Sequence, residues 1–211
     1  MIAESIPGEF LAYSEFIRIV KPIAGLHTVL HAQCIRLLYP GTLNDHEYGA
    51  VLITDMDCLP MNRKYYRDRL ESVDKDTFVN TRGHPDIHKK ELCMCFNIAY
   101  PSIWKAVFQD NTLKTWAAQN KYEGTHGGTG WCTDQLELCK AFQKYKGKKM
   151  ILTDTEMGFH RLDRDHSNIR DPNMIERVKA GVFSDYHCLR PQSQYCIKNN
   201  QIVDALMFIP E

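Results

Sequence analysis

The run Gly49-Ala-Val-Leu-Ile-Thr54 is the most hydrophobic strand candidate in the chain, and it leads straight into Asp55-Met-Asp57. A strand this apolar is buried on both faces, which requires a sheet around it and further layers over that sheet. Side chains alternate along a strand, so its continuation would point Asp55 and Asp57 to one side. Two carboxylates held together there repel each other unless a cation, a shared proton or a hydrogen-bond network compensates. Such a strand end is where a metal site for a phosphorylated ligand begins.

Short apolar runs alternate with amphipathic segments along the rest of the chain, which predicts an α/β layer architecture. Strands are expected at Met1–Ile6, Phe16–Val20, Gly49–Thr54, Thr77–Asn80, Glu91–Ala99, Lys149–Thr153, Phe159–Leu162 and Ile202–Ile209. Val29, Leu30, Cys34, Leu37 and Leu38 recur at helical spacing over Thr28–Tyr39, with Arg36 on the flank of that stripe and Pro40-Gly41 as its stop. Further helices are expected over Tyr65–Leu70, Ile103–Phe108 behind a Ser102 cap, Leu113–Lys121, and Gln135–Tyr145 behind Thr133-Asp134. The polar stretch Asp163–Asn173 reads as a surface loop.

At 211 residues the chain is long enough for one domain with a full core, spanning residues 1–211. Lys plus Arg and Asp plus Glu are 26 each, so the balance lacks the positive excess used in sequence-independent nucleic-acid binding. An anionic ligand must be met by a local cluster or a metal. No apolar run approaches the ~20 residues needed to span a bilayer, and the start lacks a secretion-signal pattern, so a cytoplasmic protein is expected. Six of eight cysteines (Cys34, Cys58, Cys93, Cys95, Cys139 and Cys188) lie in apolar stretches, as buried free thiols do. Cys93-Met-Cys95 has the wrong spacing for a zinc pair and no second pair follows it.

An apolar strand running into Asp-x-Asp has two enzymatic readings besides a pair of solvated loop acids. One is the metal and nucleotide-diphosphate site of a glycosyltransferase. The other is the nucleophile strand of a haloacid-dehalogenase-like phosphatase, but Cys58-Leu-Pro-Met61 replaces the Gly-Thr or Gly-Val that usually follows there. A third possibility is an inactive module that binds sugar nucleotide or glycan. The run Gly127-Gly-Thr-Gly130 does not follow a clear strand and lacks a Gly-Lys-Ser/Thr ending, so it reads as a loop bordering an acceptor rather than a phosphate loop.

Cys34-Ile-Arg-Leu-Leu-Tyr-Pro40 followed by Gly49-Ala-Val-Leu-Ile-Thr-Asp-Met-Asp57 resembles the Arg-Leu helix, strand and Asp-x-Asp of GT-A fold glycosyltransferases. The arrangement is similar to retaining enzymes of the glycogenin and bacterial galactosyltransferase type. Phe96-Asn97, Thr133-Asp-Gln135, and His187 three residues before Arg190-Pro191 fit in the same order, so the resemblance spans about residues 25–192. More narrowly, the chain resembles the small glycosyltransferase domain encoded by chloroviruses.

That resemblance implies a GT-A-like, Rossmann-like domain with a mostly parallel central sheet flanked by helices. It also implies a UDP-sugar donor, manganese with magnesium as the lesser choice, a saccharide or glycoprotein acceptor, and a part in building viral coat glycans. Asp57 and Asp55 would bind the cation, with His187 as third ligand, and mixed carboxylate and imidazole ligation suits manganese. Arg36, Asp55, Asn97, Asp134 and Arg190 would hold the donor, Arg190 standing where the family pattern has lysine. Gln135 matches the residue below the anomeric carbon in retaining relatives, whereas Asp134 as general base would make the reaction inverting. Trp131 is the acceptor platform among Trp104, Trp116, Tyr122 and Trp131. The chain begins at the second strand of the GT-A scheme, which leaves the uridine-binding edge unassigned.

Overall fold

The computed structural model describes residues 1–68, 70–83, 91–108, 115, 121–125, 127–164 and 167–207. In chain order the elements are α1 (Thr28–Leu38), α2 (Asp45–Tyr48), β1 (Val51–Ile53), β2 (Cys58–Pro60), α3 (Arg63–Arg67), β3 (Thr77–Asn80), β4 (Asn97–Ala99) and α4 (Pro101–Val107). They continue as α5 (Thr133–Lys144), β5 (Lys148–Ile151), α6 (Asp154–Met157), β6 (Arg161–Asp163), α7 (Met174–Lys179), β7 (Asp185–His187) and α8 (Gln192–Leu206). The expected helix at Leu113–Lys121, and with it Trp116, lies outside the described residues apart from Thr115 and Lys121.

The chain is mixed α/β, as its alternating pattern predicts, but the strands divide into two mixed sheets. One has the order β1-β4-β3-β5 and the other β2-β7-β6. Among the described residues, β1–β4, β3–β4 and β2–β7 pair antiparallel, while β3–β5 and β6–β7 pair parallel. A single, mostly parallel central sheet is therefore not what forms. Apolar runs of three or four residues look the same whichever way their neighbours run, so periodicity could not distinguish the two.

Three terminal expectations also change. Only a single bridge, Ile2 to Val20, replaces the strands expected at Met1–Ile6 and Phe16–Val20. Between them Gly8–Phe16 coils into 3-10 turns whose Phe10, Leu11 and Phe16 are exposed. The strand expected at Ile202–Ile209 is helix α8 as far as Leu206, since Asn199, Ile202 and Ala205 lie three apart and are buried together on one helical face.

Each sheet has its own core. In the first, Leu30, Cys34 and Leu37 form one face of α1 and join Phe78 of β3, Trp104 of α4, and Leu138 and Phe142 of α5. Phe78 meets Trp104 edge-on, with ring centroids 4.7 Å apart. In the second, Leu162 of β6, Tyr186 of β7 and Ile202 of α8 pack with Val178 and Phe183. Cys58, Cys95 and Phe96 form a third, small cluster. All eight cysteines are free thiols. Among the described residues no helix is long and apolar enough to cross a membrane.

Leu138 has no exposed surface and sits where α1, α4 and α5 meet. Leu138→Ala should lower unfolding stability by about 2–5 kcal/mol, the usual result of a buried leucine cavity. Urea denaturation followed by far-UV circular dichroism checks this.

Candidate functional site

Strand β1 stops at Ile53, and residues 54–57 carry the chain from the first sheet into β2 of the second. Cys58 N–H donates to the Asp55 carbonyl at 3.0 Å, and the Thr54 hydroxyl donates to the Cys58 carbonyl at 3.3 Å, closing this turn. Strand alternation does not apply across a turn. Asp55 and Asp57 consequently face different partners instead of one side of a continuing strand.

Asp55 faces α1 and α5. Arg36 donates to Asp55 through Nη1 and to Asp134 through Nη2, so one guanidinium joins the inter-sheet turn to the first turn of α5. Asp134 is almost fully buried and its second oxygen accepts the Gln135 N–H at 2.8 Å. The Cys95 thiol donates to Asp55 Oδ2 at 2.9 Å. Burial pushes the Asp55 carboxyl up to about 6, and the neighbouring Cys95 adds to this against the pull of Arg36. Hydrogen bonds from Cys58 and Cys93 draw the Cys95 thiol down, against burial.

Asp57 faces the second sheet, whose register explains what it meets. On one face of β2-β7-β6 the rows are Cys58–His187–Asp163 and Pro60–Asp185–Arg161, while the row between them, Leu59–Tyr186–Leu162, turns to the apolar core. The polar rows produce two pairs. Arg161 Nε donates to both oxygens of fully buried Asp185, at 2.9 and 3.0 Å. His187 Nδ1 lies 3.1 Å from Asp163 Oδ1, which leaves Nε2 aimed at Asp57 Oδ2, 3.2 Å away. Arg164 Nη1 donates to the same Asp57 oxygen at 2.9 Å, and Arg190 also donates to it. Burial works to raise the Asp57 carboxyl, but the Arg164 hydrogen bond and the charges of Arg190 and His187 hold it below its ordinary value.

Two donor sets suited to a cation result. Ligand atoms of Asp57, Cys58 and His187 lie within 4.8 Å of one another, as do those of Asp55, Cys58 and Cys95. Beside the first set a cleft of about 780 Å³ is lined by Asp57, Arg190 and the start of α8 at Pro191 and Gln192. A second groove, of about 560 Å³, runs along the glycine-rich loop and includes Trp131 and Thr133. Gln33 of α1 secures that loop by donating to the Trp131 carbonyl at 2.6 Å. Gly130 has φ 84°, and a Cβ there would sit 2.1 Å from the Lys121 carbonyl oxygen, so the loop closes only with glycine.

Of the residues singled out from sequence, the fold gathers Asp57, His187 and Arg190 at one point, and Arg36, Asp55 and Asp134 at another. Asn97 is fully buried: its amide donates to the Cys93 and Met94 carbonyls at 3.0 and 2.8 Å, and its oxygen accepts from Asn80 at 2.7 Å. Gln135 accepts the Leu92 N–H through its carbonyl at 3.3 Å. Trp104 is core, and the Tyr122 ring lies tilted against His27 with centroids 4.5 Å apart. Sequence reading missed Asp163 and Arg164, which fell in the stretch taken for a surface loop. The strand expected at Phe159–Leu162 forms as Arg161–Asp163, and carrying its alternation one residue further was the available signal for Asp163.

No protein-family model, curated protein or solved structure matches the chain.

The Arg161–Asp185 pair underlies the polar face that carries His187. Arg161→Met would strand a buried carboxylate and should cost about 3–5 kcal/mol at neutral pH. Burial already holds the Asp185 carboxyl above its ordinary value, and removing Arg161 raises it further. A raised folded-state value penalises the ionised form, so the deficit is full at neutral pH and shrinks on acidification, until unfolded carboxylates also protonate. Urea melts of both proteins at neutral and mildly acidic pH test the sign.

Proposed function

We propose that this chain is a metal-dependent glycosyltransferase that moves a sugar from a UDP-sugar donor to a saccharide acceptor with retention. The observation that carries the reading is the convergence of Asp57 with His187 and Arg190, which lie far along the chain from it, beside a cleft lined by Asp57 and Arg190. The donor chemistry suits a divalent cation. A carboxylate and an imidazole nitrogen face each other, and Asp163 holds the opposite ring nitrogen, which fixes a histidine as a ligand.

Asp57 and His187 would hold manganese, or magnesium less well, with Asp55 at the neighbouring end of the turn. When bound, the cation supplies Lewis-acid stabilisation of the charge that grows on the departing diphosphate. Arg190 is more than half exposed and Arg164 stands beside it. Both now neutralise Asp57, and both have the guanidinium geometry that binds phosphate oxygens. The start of α8, a helix of 15 residues, adds backbone N–H groups and a positive dipole end at the same cleft.

Arg36 would position Asp55 and Asp134 against the donor. A carboxylate buried beneath Arg36 is poorly placed to reach an acceptor hydroxyl, which supports retention, with Gln135 beside the anomeric carbon, over a general-base route through Asp134. Asn97, fully buried with its amide engaged by Asn80, Cys93 and Met94, would brace the donor side rather than touch the sugar, and the Trp131 groove would take the acceptor saccharide. The engagement of Asp55 by Arg36 and Cys95 also weighs against its use as a phosphatase nucleophile. The resemblance extends the proposal to glycan synthesis on a viral coat glycoprotein.

Calorimetric titration with UDP, GDP and CMP, with and without manganese, tests this reading. UDP should bind best and only with the metal, and Asp57→Asn should abolish that binding while the thermal unfolding profile stays cooperative. Asp163→Asn should weaken metal binding about 10–100-fold, as loss of a ligand's hydrogen-bond partner does. Metal-independent binding, or no preference for UDP, would contradict the proposal.

A further inference from the structure

We propose that Asp55, Cys58 and Cys95 form a separate site for a thiophilic divalent cation of the zinc class. The three ligand atoms lie within 4.8 Å of one another, and Cys95 Sγ is already 2.9 Å from Asp55 Oδ2. Zinc bonds of ~2.3 Å to sulfur and ~2.1 Å to oxygen put tetrahedral donors about 3.5–3.8 Å apart, so shifts of about 1 Å complete the set. Three protein donors leave one position of the tetrahedron for solvent or for Cys93, whose thiol hydrogen-bonds to Cys95.

Buried cysteine is ordinarily a small hydrophobe, and Cys34 and Cys139 serve that way among the leucines of the first core. Cys58 and Cys95 are placed differently. Their sulfurs face each other and a carboxylate, and Arg161 Nη2 approaches Cys58 Sγ at 3.6 Å. Asp55 is 39 % exposed at its side chain, which opens a route for an ion to otherwise buried thiols.

Sulfur donors select zinc, cadmium or cobalt, whereas oxygen and nitrogen donors suit manganese or magnesium. Cys58 lies within reach of both sets. Engaged with Cys95, it leaves Asp57 and His187 as the oxygen and nitrogen pair, so the two sites differ in the metals they take. Cys58 belongs to the second sheet and Cys95 lies two residues before β4 of the first, so the ion would join the two sheets across their shared turn. Cys93-Met-Cys95 fails as a zinc motif in sequence because the partners of Cys95 come from residues 55 and 58.

The proposal does not rest on the sugar-nucleotide reading. Cobalt titrated into the reduced protein without nucleotide should give a sulfur-to-cobalt charge-transfer band at one ion per chain, displaced by zinc. The band should vanish in Cys58→Ser and Cys95→Ser and persist in Cys139→Ser and Asp57→Asn. Because the first two variants could unfold, alkylation of the wild-type chain gives a second readout. Zinc at ten times its Kd should slow labelling of Cys58 and Cys95 about tenfold, as selective stabilisation of the closed state requires. The exposed Cys196 should label at an unchanged rate. Absence of the charge-transfer band in folded wild-type protein, its survival in Cys95→Ser, or zinc-independent labelling of Cys58 and Cys95 would overturn the site. None of those results would affect manganese-dependent UDP binding.

Discussion

The polar contacts around the candidate site are organised by the need to neutralise two carboxylates on the turn where one sheet hands the chain to the other. Residues 54–57 are too short to bury their charge and too enclosed to leave it wholly in water. Arg36 meets Asp55 from one side and at the same time compensates Asp134 at the first turn of α5. Arg164, Arg190 and His187 meet Asp57 from the other. Removing one partner would leave a partly desolvated charge, so the cations are as much a part of the fold as of the site.

The second sheet turns this electrostatic requirement into geometry. Strand alternation sends Leu59, Tyr186 and Leu162 into the core, which forces Cys58, His187 and Asp163 onto the opposite face. Once Asp163 takes one imidazole nitrogen, the other points at Asp57. The orientation of His187 is therefore fixed by hydrophobic burial on the far side of its own strand. A bound cation and diphosphate would exploit a set of contacts that the apolar packing already imposes.

Sequence reading located the acidic turn, the Arg36 helix and the downstream histidine, because each carries a local signal: a strongly apolar strand, a 3.6-residue stripe, and an ordered set of motifs. It correctly placed mixed α/β structure. The number of sheets and the sense of their strands were not legible, since pairing direction leaves no trace in runs of three residues. Glu91–Ala99 looked like one strand, but Asn97 folds the preceding residues back on its own amide and only Asn97–Ala99 extends. The thiol cluster was hidden for a similar reason. Cys58 and Cys95 are far apart in the chain and meet only because both lie beside the same turn.

The central claim is that Asp57 and His187 together receive the cation that carries the nucleotide diphosphate. Electron-nuclear double resonance of manganese with UDP on the histidine-¹⁵N-labelled protein reads this contact directly. The account predicts a single ¹⁵N hyperfine coupling that appears with UDP and manganese present and disappears in His187→Gln. Bound manganese with no ¹⁵N coupling, or a coupling that survives His187→Gln, would contradict it.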